Sequence, residues 1–349
     1  MRRLPVFFVL DCSESMLGSN LENVEEGLRK VAQVLRSDPY ALETVYISVI
    51  AFAGVAKVIS PLLDLVSFYP PKLPVGGGTN LGSALHTLMK EIDQSVVKRT
   101  QDQKGDWQPI VYLFTDGKPT DDVNSAIAKW NTNFKHKATM IAVGFGQFAD
   151  LTVLNQLTNN TFIFEESHEE DFKKFVDWVS SSLVVQSKSI GKTDGAEELA
   201  DINGDFLKKV TKPKPPASDQ DCVALVGRCQ STKRPYVIKY DKVSQQISLE
   251  KLSMEIPLFQ LSGCFPVTEE YFSWSGDTTP DQKINTEKLV GAPSCPHCGN
   301  GSAFAVCGCE KLMCINGPGE SVCPWCENKV KFMQGGGSSG GFDINRGKG

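Results

Sequence analysis

The stretch VFFVLDCSESMLG, residues 6–18, runs from an apolar segment into Asp11, Ser13 and Ser15 on alternate positions. Two other segments offer similar chemistry: Thr79 follows Gly76-Gly77-Gly78, and Asp116 sits in FTDGKPTDD. Carboxylate and hydroxyl oxygens are the ligands of a hard cation such as Mg2+, which binds them at about 2.0–2.1 Å in near-octahedral geometry. Two carboxylates and three hydroxyls leave room for water and one further ligand. Singly, each segment has a plainer reading. Ser13 and Ser15 can cap a helix, and Asp116-Gly117-Lys118-Pro119 can form a turn. No Gly-Lys-Ser/Thr follows the glycine run, so it is not a phosphate loop; it permits close backbone approach.

A second set of ligands is soft. Of eleven cysteines, seven fall between Cys295 and Cys326, and two pairs have C-x-x-C form, Cys295-Pro-His-Cys298 and Cys323-Pro-Trp-Cys326. Two such turns presenting four thiolates are a strong zinc signal. The grouping expected first is Cys295, Cys298, Cys323 and Cys326, brought together by a hairpin in SAFAVCGCEKLMCI. Cys307, Cys309 and Cys314 then form a second site, with Cys264 or His297 as fourth ligand. A cross-brace with interleaved pairs is the alternative, so the count is one or two Zn2+ ions. Cys222 and Cys229 read as buried thiols, and Cys12 as packed beneath its loop. A redox role for the C-P-H-C pair competes, but the surrounding cysteines favour metal. The cysteine segment alone has almost no core, so metal would supply its folding free energy.

Catalysis finds little support in the sequence. There is no G-x-S-x-G, and His86, His136, His168 and His297 have no evident serine neighbour. An aspartyl phosphotransferase would want a second acid two residues after Asp11, where Ser13 stands. No catalytic residue is assigned. A redox or phosphotransfer enzyme component remains the rival reading.

The elements that must position the oxygen ligands alternate between strand and helix. Apolar runs at 6–10, 46–52, 110–115, 139–145 and 161–166 read as strands of a parallel sheet covered on both faces, with 55–60 as a hairpin partner. Helices are expected at 21–35, 81–92, near 121–134, near 149–157 and at 169–185. In such a sheet ligands gather beyond the carboxyl ends of the strands, which is where Asp11, Thr79 and Asp116 fall. Residues 1–187 therefore form an α/β domain with a Rossmann-like, mostly parallel central sheet. Residues 188–220 read as a linker rich in Gly, Pro and charge. Residues 221–333 read as a small β-rich zinc-binding domain with its cysteines at 295–326, and 334–349 as a flexible tail.

The D-x-S-x-S, lone Thr and T-D-G set resembles the metal-ion-dependent adhesion site of von Willebrand factor A domains. That resemblance implies Ser13, Ser15 and Thr79 on the metal directly, and Asp11 and Asp116 holding it directly or through water. An ion bound largely by neutral hydroxyls keeps positive charge and favours a partner's carboxylate or phosphate. Glu14 departs from the family's frequent glycine and is expected to narrow the loop and place a negative charge near the metal. With a cysteine-rich C-terminal half, including GRC…RPYVIKY…GCF, the chain resembles TerY-type proteins of bacterial tellurite-resistance systems. The resemblance implies a non-enzymatic adaptor associated with a Ser/Thr kinase and a metal-dependent protein phosphatase. Candidate phosphate acceptors are Thr278, Thr279, Ser338 and Ser339, where a phosphate would add a charge of about −1.5 to −2.

Composition is consistent with this. At 349 residues, with 41% hydrophobic and 22% charged residues, the chain is long enough for two or three globular domains. A net charge of −5 leaves no basic excess for nucleic acid. No apolar run reaches the roughly 18 residues of a membrane span. MRRLPVFFVL meets Asp11 too early for a signal peptide and reads as a buried strand. The expected compartment is cytoplasmic.

Overall fold

The computed structural model describes residues 2–102, 104–116, 118–146, 150–165, 170–189, 199–202, 206–210, 222–249, 252–276, 283–332 and 341–347. By packing, the chain divides into two units. The first is Met1–Cys12, Ser19–Pro74 and Thr79–Ala217; the second is Ser13–Gly18, Val75–Gly78 and Ser218–Gly349.

In the first unit the elements are β1 (Leu4–Asp11), α1 (Ser19–Ser37), α2 (Pro39–Thr44), β2 (Val45–Phe52), β3 (Ala56–Asp64), α3 (Leu81–Ser95), β4 (Ile110–Thr115), α4 (Asn124–Asn133), β5 (Thr139–Phe145), α5 (Leu151–Leu157), β6 (Thr161–Phe164), α6 (Asp171–Ser189) and β7 (Leu207–Lys209). The strands lie in the order β3-β2-β1-β4-β5-β6-β7. The central pairings are parallel, and β3 and β7 add antiparallel edges. Every residue of β1 and β4 is buried, as expected of strands covered on both faces. Leu85, Leu88, Ile127, Trp130 and Leu154 from α3, α4 and α5 share one core with Val9, Val111 and Leu113. An aromatic set that includes Phe8, Tyr112, Phe114, Phe175 and Trp178 forms another, under α6.

Two expectations change here. The stretch read as linker contains β7, which pairs with β6 and buries Phe206 and Leu207; three residues are too few for alternation to register in the sequence. Helix α2 was not expected. It is set locally by Asp38, whose carboxylate accepts from the Tyr40 and Ala41 amides, with Pro39 at the first helical position.

The second unit contains β8 (Cys222–Arg228), β9 (Pro235–Leu249), β10 (Leu252–Pro266), α7 (Glu270–Trp274), β11 (Lys283–Asn285), β12 (Leu289–Val290), β13 (Ser302–Val306), β14 (Leu312–Ile315), β15 (Gly319–Val322), β16 (Lys329–Phe332) and β17 (Asp343–Asn345). Its main sheet runs β12-β10-β9-β8-β14-β13. The cysteine segment is not coreless. Ala303, Leu312, Cys295 and Cys314 pack with Val223, Leu225, Ile238 and Phe259 in one cluster. A smaller cluster joins Leu17 and Val75 to Ala224, Val237, Val267 and Tyr271.

The stretch read as a flexible tail also differs. Its residues 343–345 pair antiparallel with β11, and Ile344 is 3% exposed. The low-complexity glycine-serine run hid the short ordered strand beyond it. Ser338 and Ser339, like Thr278 and Thr279, lie outside the described residues. Among the described residues no helix is long and apolar enough to cross a membrane.

The Ile344 contact is measurable. Ile344→Ala is expected to destabilise this unit by about 2–5 kcal/mol, read by denaturant titration with hydrogen exchange at β11 as the local probe. A loss below about 0.5 kcal/mol would show that the segment contributes no packing.

Candidate metal centres

In the first unit, Asp11 ends β1 and Asp116 follows β4, its parallel neighbour. Asp11 is fully buried, and its Oδ2 accepts from the Thr115 hydroxyl at 2.5 Å. Thr79, 2% exposed, donates its amide to Thr120 Oγ1 at 2.8 Å and accepts from the Thr120 amide through its carbonyl at 2.9 Å. Asn80 is tied to the end of β2 through its amide and Ala53 O, 2.8 Å. Asp121 receives the Gly82 and Ser83 amides at the start of α3. The first unit thus carries Asp11, Thr79 and Asp116 on segments that leave strand ends or are hydrogen-bonded to them. The Cys12 thiol beside Asp11 is pushed well up, by burial first and then by that charge.

Ser13 and Ser15 belong to the second unit. Their hydroxyls hydrogen-bond one another at 2.9 Å, and Ser13 forms a parallel bridge with Gly76. Lys239, 7% exposed, donates its ammonium to Ser15 O at 2.5 Å and Leu17 O at 3.1 Å. Glu14 between the serines is fully buried, and its carboxylate accepts from the Tyr271 hydroxyl. Burial and then Glu14 raise the Tyr271 phenol. The expectation that Glu14 only narrows the loop and adds charge therefore missed its hydroxyl partner, which lies 257 residues away. Glycine is required at position 76, where a Cβ would stand 2.6 Å from the Trp274 backbone. Its neighbour Gly77 donates its amide to Ser275 Oγ at 2.8 Å.

The cysteines form two foursomes, and their grouping differs from the one expected. Cys229, Cys295, Cys298 and Cys314 are one, and Cys307, Cys309, Cys323 and Cys326 the other; within each, all sulfurs lie within 4.8 Å of one another. The expected hairpin exists as β13–β14, but it separates the two C-x-x-C turns. Ser302 pairs with Ile315 at its open end and Val306 with Leu312 at its closed end, four residues or about 13 Å apart. Cys314 stays near the open end with Cys295 and Cys298, while Cys307 and Cys309 mark the turn with Cys323 and Cys326. Cys229 completes the first set because β14 runs parallel to β8, with Leu312 opposite Gly227 and Met313 opposite Arg228. One residue further, Cys314 meets Cys229. No spacing in the sequence predicts that pairing, so Cys229 was missed. Cys264 joins neither foursome, nor does His297, which contacts Pro235 O at 2.8 Å.

The sulfur geometry suits a shared ion. Sγ–Sγ separations are 3.7 Å for Cys298–Cys314, 3.7 Å for Cys307–Cys326 and 3.8 Å for Cys309–Cys323. A tetrahedral cation with bonds of about 2.3 Å spaces its sulfurs about 3.8 Å apart, whereas a disulfide would need about 2.05 Å. All eleven cysteines are thiols. Burial pushes Cys307 up to about 12 and Cys314 higher. Cys326 is lowered to about 7, chiefly by the Asn328 amide. Burial alone would raise Cys229, but Thr232 and further donors bring it to about 6. Each foursome therefore sets one lowered cysteine, Cys229 or Cys326, beside two raised by burial, Cys295 and Cys314 or Cys307 and Cys309, a competition that a cation removes.

The turns are built alike. The Cys295 carbonyl accepts the Gly299 amide, that of Cys323 the Glu327 amide, that of Cys229 the Lys233 amide and that of Cys307 the Glu310 amide. The accepting turn ends at positive φ each time: 74° at Gly299, 60° at Glu327, 59° at Lys233 and 63° at Glu310. Among the described residues, the last three are the non-glycine positions with positive φ.

Residues 6–178 match the von Willebrand factor type A domain, so the first class is defined by both fold and motif. Residues 219–349 match the TerY-C metal binding domain. The chain therefore has the TerY-type architecture, a von Willebrand factor type A domain followed by a TerY-C metal binding domain. It is also similar to human inter-alpha-trypsin inhibitor heavy chain H6, 23% identical over 215 residues, covering 58% of this chain and 15% of that protein. The bovine heavy chain H1 is 24% identical over 190 residues, covering 51% and 21%. The chain thus spans about a fifth or less of those relatives' length. A solved von Willebrand factor type A structure from Catenulispora acidiphila is 15% identical, covers 81% of this chain and 61% of that one, and has a TM-score of 0.40.

The grouping has a direct test. Cys229→Ser is expected to remove about one equivalent of tightly held zinc and Cys264→Ser none, by inductively coupled plasma mass spectrometry of the purified variants. Zinc kept in Cys229→Ser and lost in Cys264→Ser would reinstate the sequence-based grouping.

Proposed function

We propose that the protein is a non-enzymatic adaptor that captures an acidic or phosphorylated partner through Mg2+ at Asp11, Ser13, Ser15, Thr79 and Asp116. The observation that carries this reading is the placement of Asp11 and Asp116 at the carboxyl ends of adjacent parallel strands, where open α/β sheets bind ligands. The donor set is all oxygen, which fits Mg2+. When bound, the ion would supply a positive centre for an incoming carboxylate or phosphate. The Thr115–Asp11 hydrogen bond fixes one carboxylate, and the Thr120–Thr79 pair fixes the backbone of the lone threonine.

The two thiolate foursomes hold Zn2+ in this reading and act structurally. Each has four sulfurs and so leaves no open position of the kind a catalytic zinc keeps. The domain order supports a place in a bacterial tellurite-resistance or stress-response system, in the cytoplasm, with a Ser/Thr kinase and a metal-dependent protein phosphatase as partners.

Affinity capture on immobilised protein with Mg2+ and zinc present tests the adaptor reading. Wild type is expected to retain a partner that Asp11→Ala loses, while circular dichroism and zinc content stay unchanged. Equal retention would detach partner binding from the oxygen motif. A turnover abolished by Asp11→Ala would replace the adaptor by an enzyme.

A further inference from the structure

Strands β9 and β10 outrun the sheet they belong to. Among the described residues, β9 pairs with β8 from Pro235 to Asp241, and β10 pairs with β12 at Phe259 and Gln260. Beyond these, residues 242–249 and 252–258 follow one register without a shift, from Lys242 opposite Phe259 to Leu249 opposite Leu252. The result is a two-stranded arm within the second unit. At about 3.4 Å per residue, the stretch from Val243 to Leu249 carries it roughly 20 Å further.

The two faces of β9 exchange character where the strand leaves the sheet. Within the sheet, Tyr236, Ile238 and Tyr240 lie in the core cluster with Val223 and Phe259. By alternation the same face continues through Lys242, Ser244, Gln246 and Ser248, all polar. The opposite face passes from Lys239 and the exposed Asp241 to Val243, Gln245, Ile247 and Leu249. Across the register these four meet Leu258, Ile256, Met254 and Leu252. Seven of those eight positions are apolar and none is charged. The apolar face of the arm is thus not a continuation of the core beneath the sheet; it belongs to the other side. Val243, at its near end, is 42% exposed.

A two-stranded ribbon is marginal in water and needs a covered apolar face to be stable. Pro257 marks β10 as an edge, and edge prolines hinder pairing with a further strand. The face, rather than the edge, is therefore the surface to be covered. Burying an aliphatic side chain removes roughly 60–120 Å2 of apolar surface, so the face offers about 400–850 Å2. A standard specific interface buries about 800 Å2 per partner. The chain has a net charge of −5, and two copies repel one another least across an uncharged face.

We propose that this face is a homodimer interface, in which the arms of two copies pack face to face about a two-fold axis, their ribbons about 10 Å apart. The contact is isologous, so each apolar row meets its own copy, while the polar face of each arm stays in water. It is independent of the oxygen motif and of any cation there.

The test is sedimentation equilibrium of full-length zinc-loaded protein, from about 0.1 to 100 µM, for wild type, Ile247→Asp and Ser248→Asp. Each variant adds one charge, the first on the apolar face and the second on the polar one. Wild type is expected to reach twice the chain mass at the upper end. Ile247→Asp is expected to weaken the association at least about tenfold, because a charge would be buried, and Ser248→Asp less than about twofold. Circular dichroism and zinc content verify that each variant is folded. Hydrogen exchange on wild type needs no variant: amide protection over 243–249 and 252–258 is expected to rise with protein concentration.

A monomer at 100 µM would overturn the proposal, as would protection of the arm that does not change with concentration, which would show the face covered by its own chain. A dimer that responds equally to both substitutions, or to neither, would also overturn it by placing the interface elsewhere.

Discussion

Eight sulfurs in two groups of four, each group within 4.8 Å, are the constraint on which the second unit depends. Thiols this close compete for the same few backbone donors, and burial disfavours the charged form that each would take alone. The turns that present them carry a further cost, because Lys233, Glu310 and Glu327 adopt left-handed backbone that glycine would take more easily. Strain of this kind persists where the surroundings over-determine it. A cation at each foursome would remove the proton competition and tie the strained turns together at once.

The effect reaches past the turns through α7. Trp325, between Cys323 and Cys326, sits edge-on to Phe272 at 6.0 Å, and the Arg228 guanidinium stacks 4.5 Å from the same indole while pairing with Glu269. One residue from Phe272, Tyr271 donates to Glu14, and at the end of the helix Trp274 and Ser275 meet Gly76 and Gly77. A five-residue helix has little stability of its own, so its position is set by what flanks it. One flank is a cysteine turn; the other is the pair of segments 13–18 and 75–78.

The sequence carried the central sheet and the oxygen motif clearly, and for a physical reason. β1, β2, β4 and β5 are buried on both faces, so they are written as apolar runs, and Asp11 and Asp116 stand out where the runs of β1 and β4 stop. The cysteine grouping was not legible, because it depends on the parallel pairing of β8 with β14, two strands more than 80 residues apart. Short strands were equally hidden. β7 and β17 have three residues each, too few for a period, and β17 lies beyond a low-complexity run. Glu14 was visible as a departure from glycine, but its meaning resides in Tyr271, Arg346 and Gly347, which only the fold brings to it.

In the proposed reading the two kinds of centre divide the work by charge. A divalent cation among four thiolates carries a net charge of about −2, and its coordination is closed. Such a centre repels an acidic group and serves to hold backbone in place. Two carboxylates and three hydroxyls around a divalent cation sum instead to neutrality, with coordination incomplete. The ion then remains attractive to one more anion, which a partner's carboxylate or phosphate can supply.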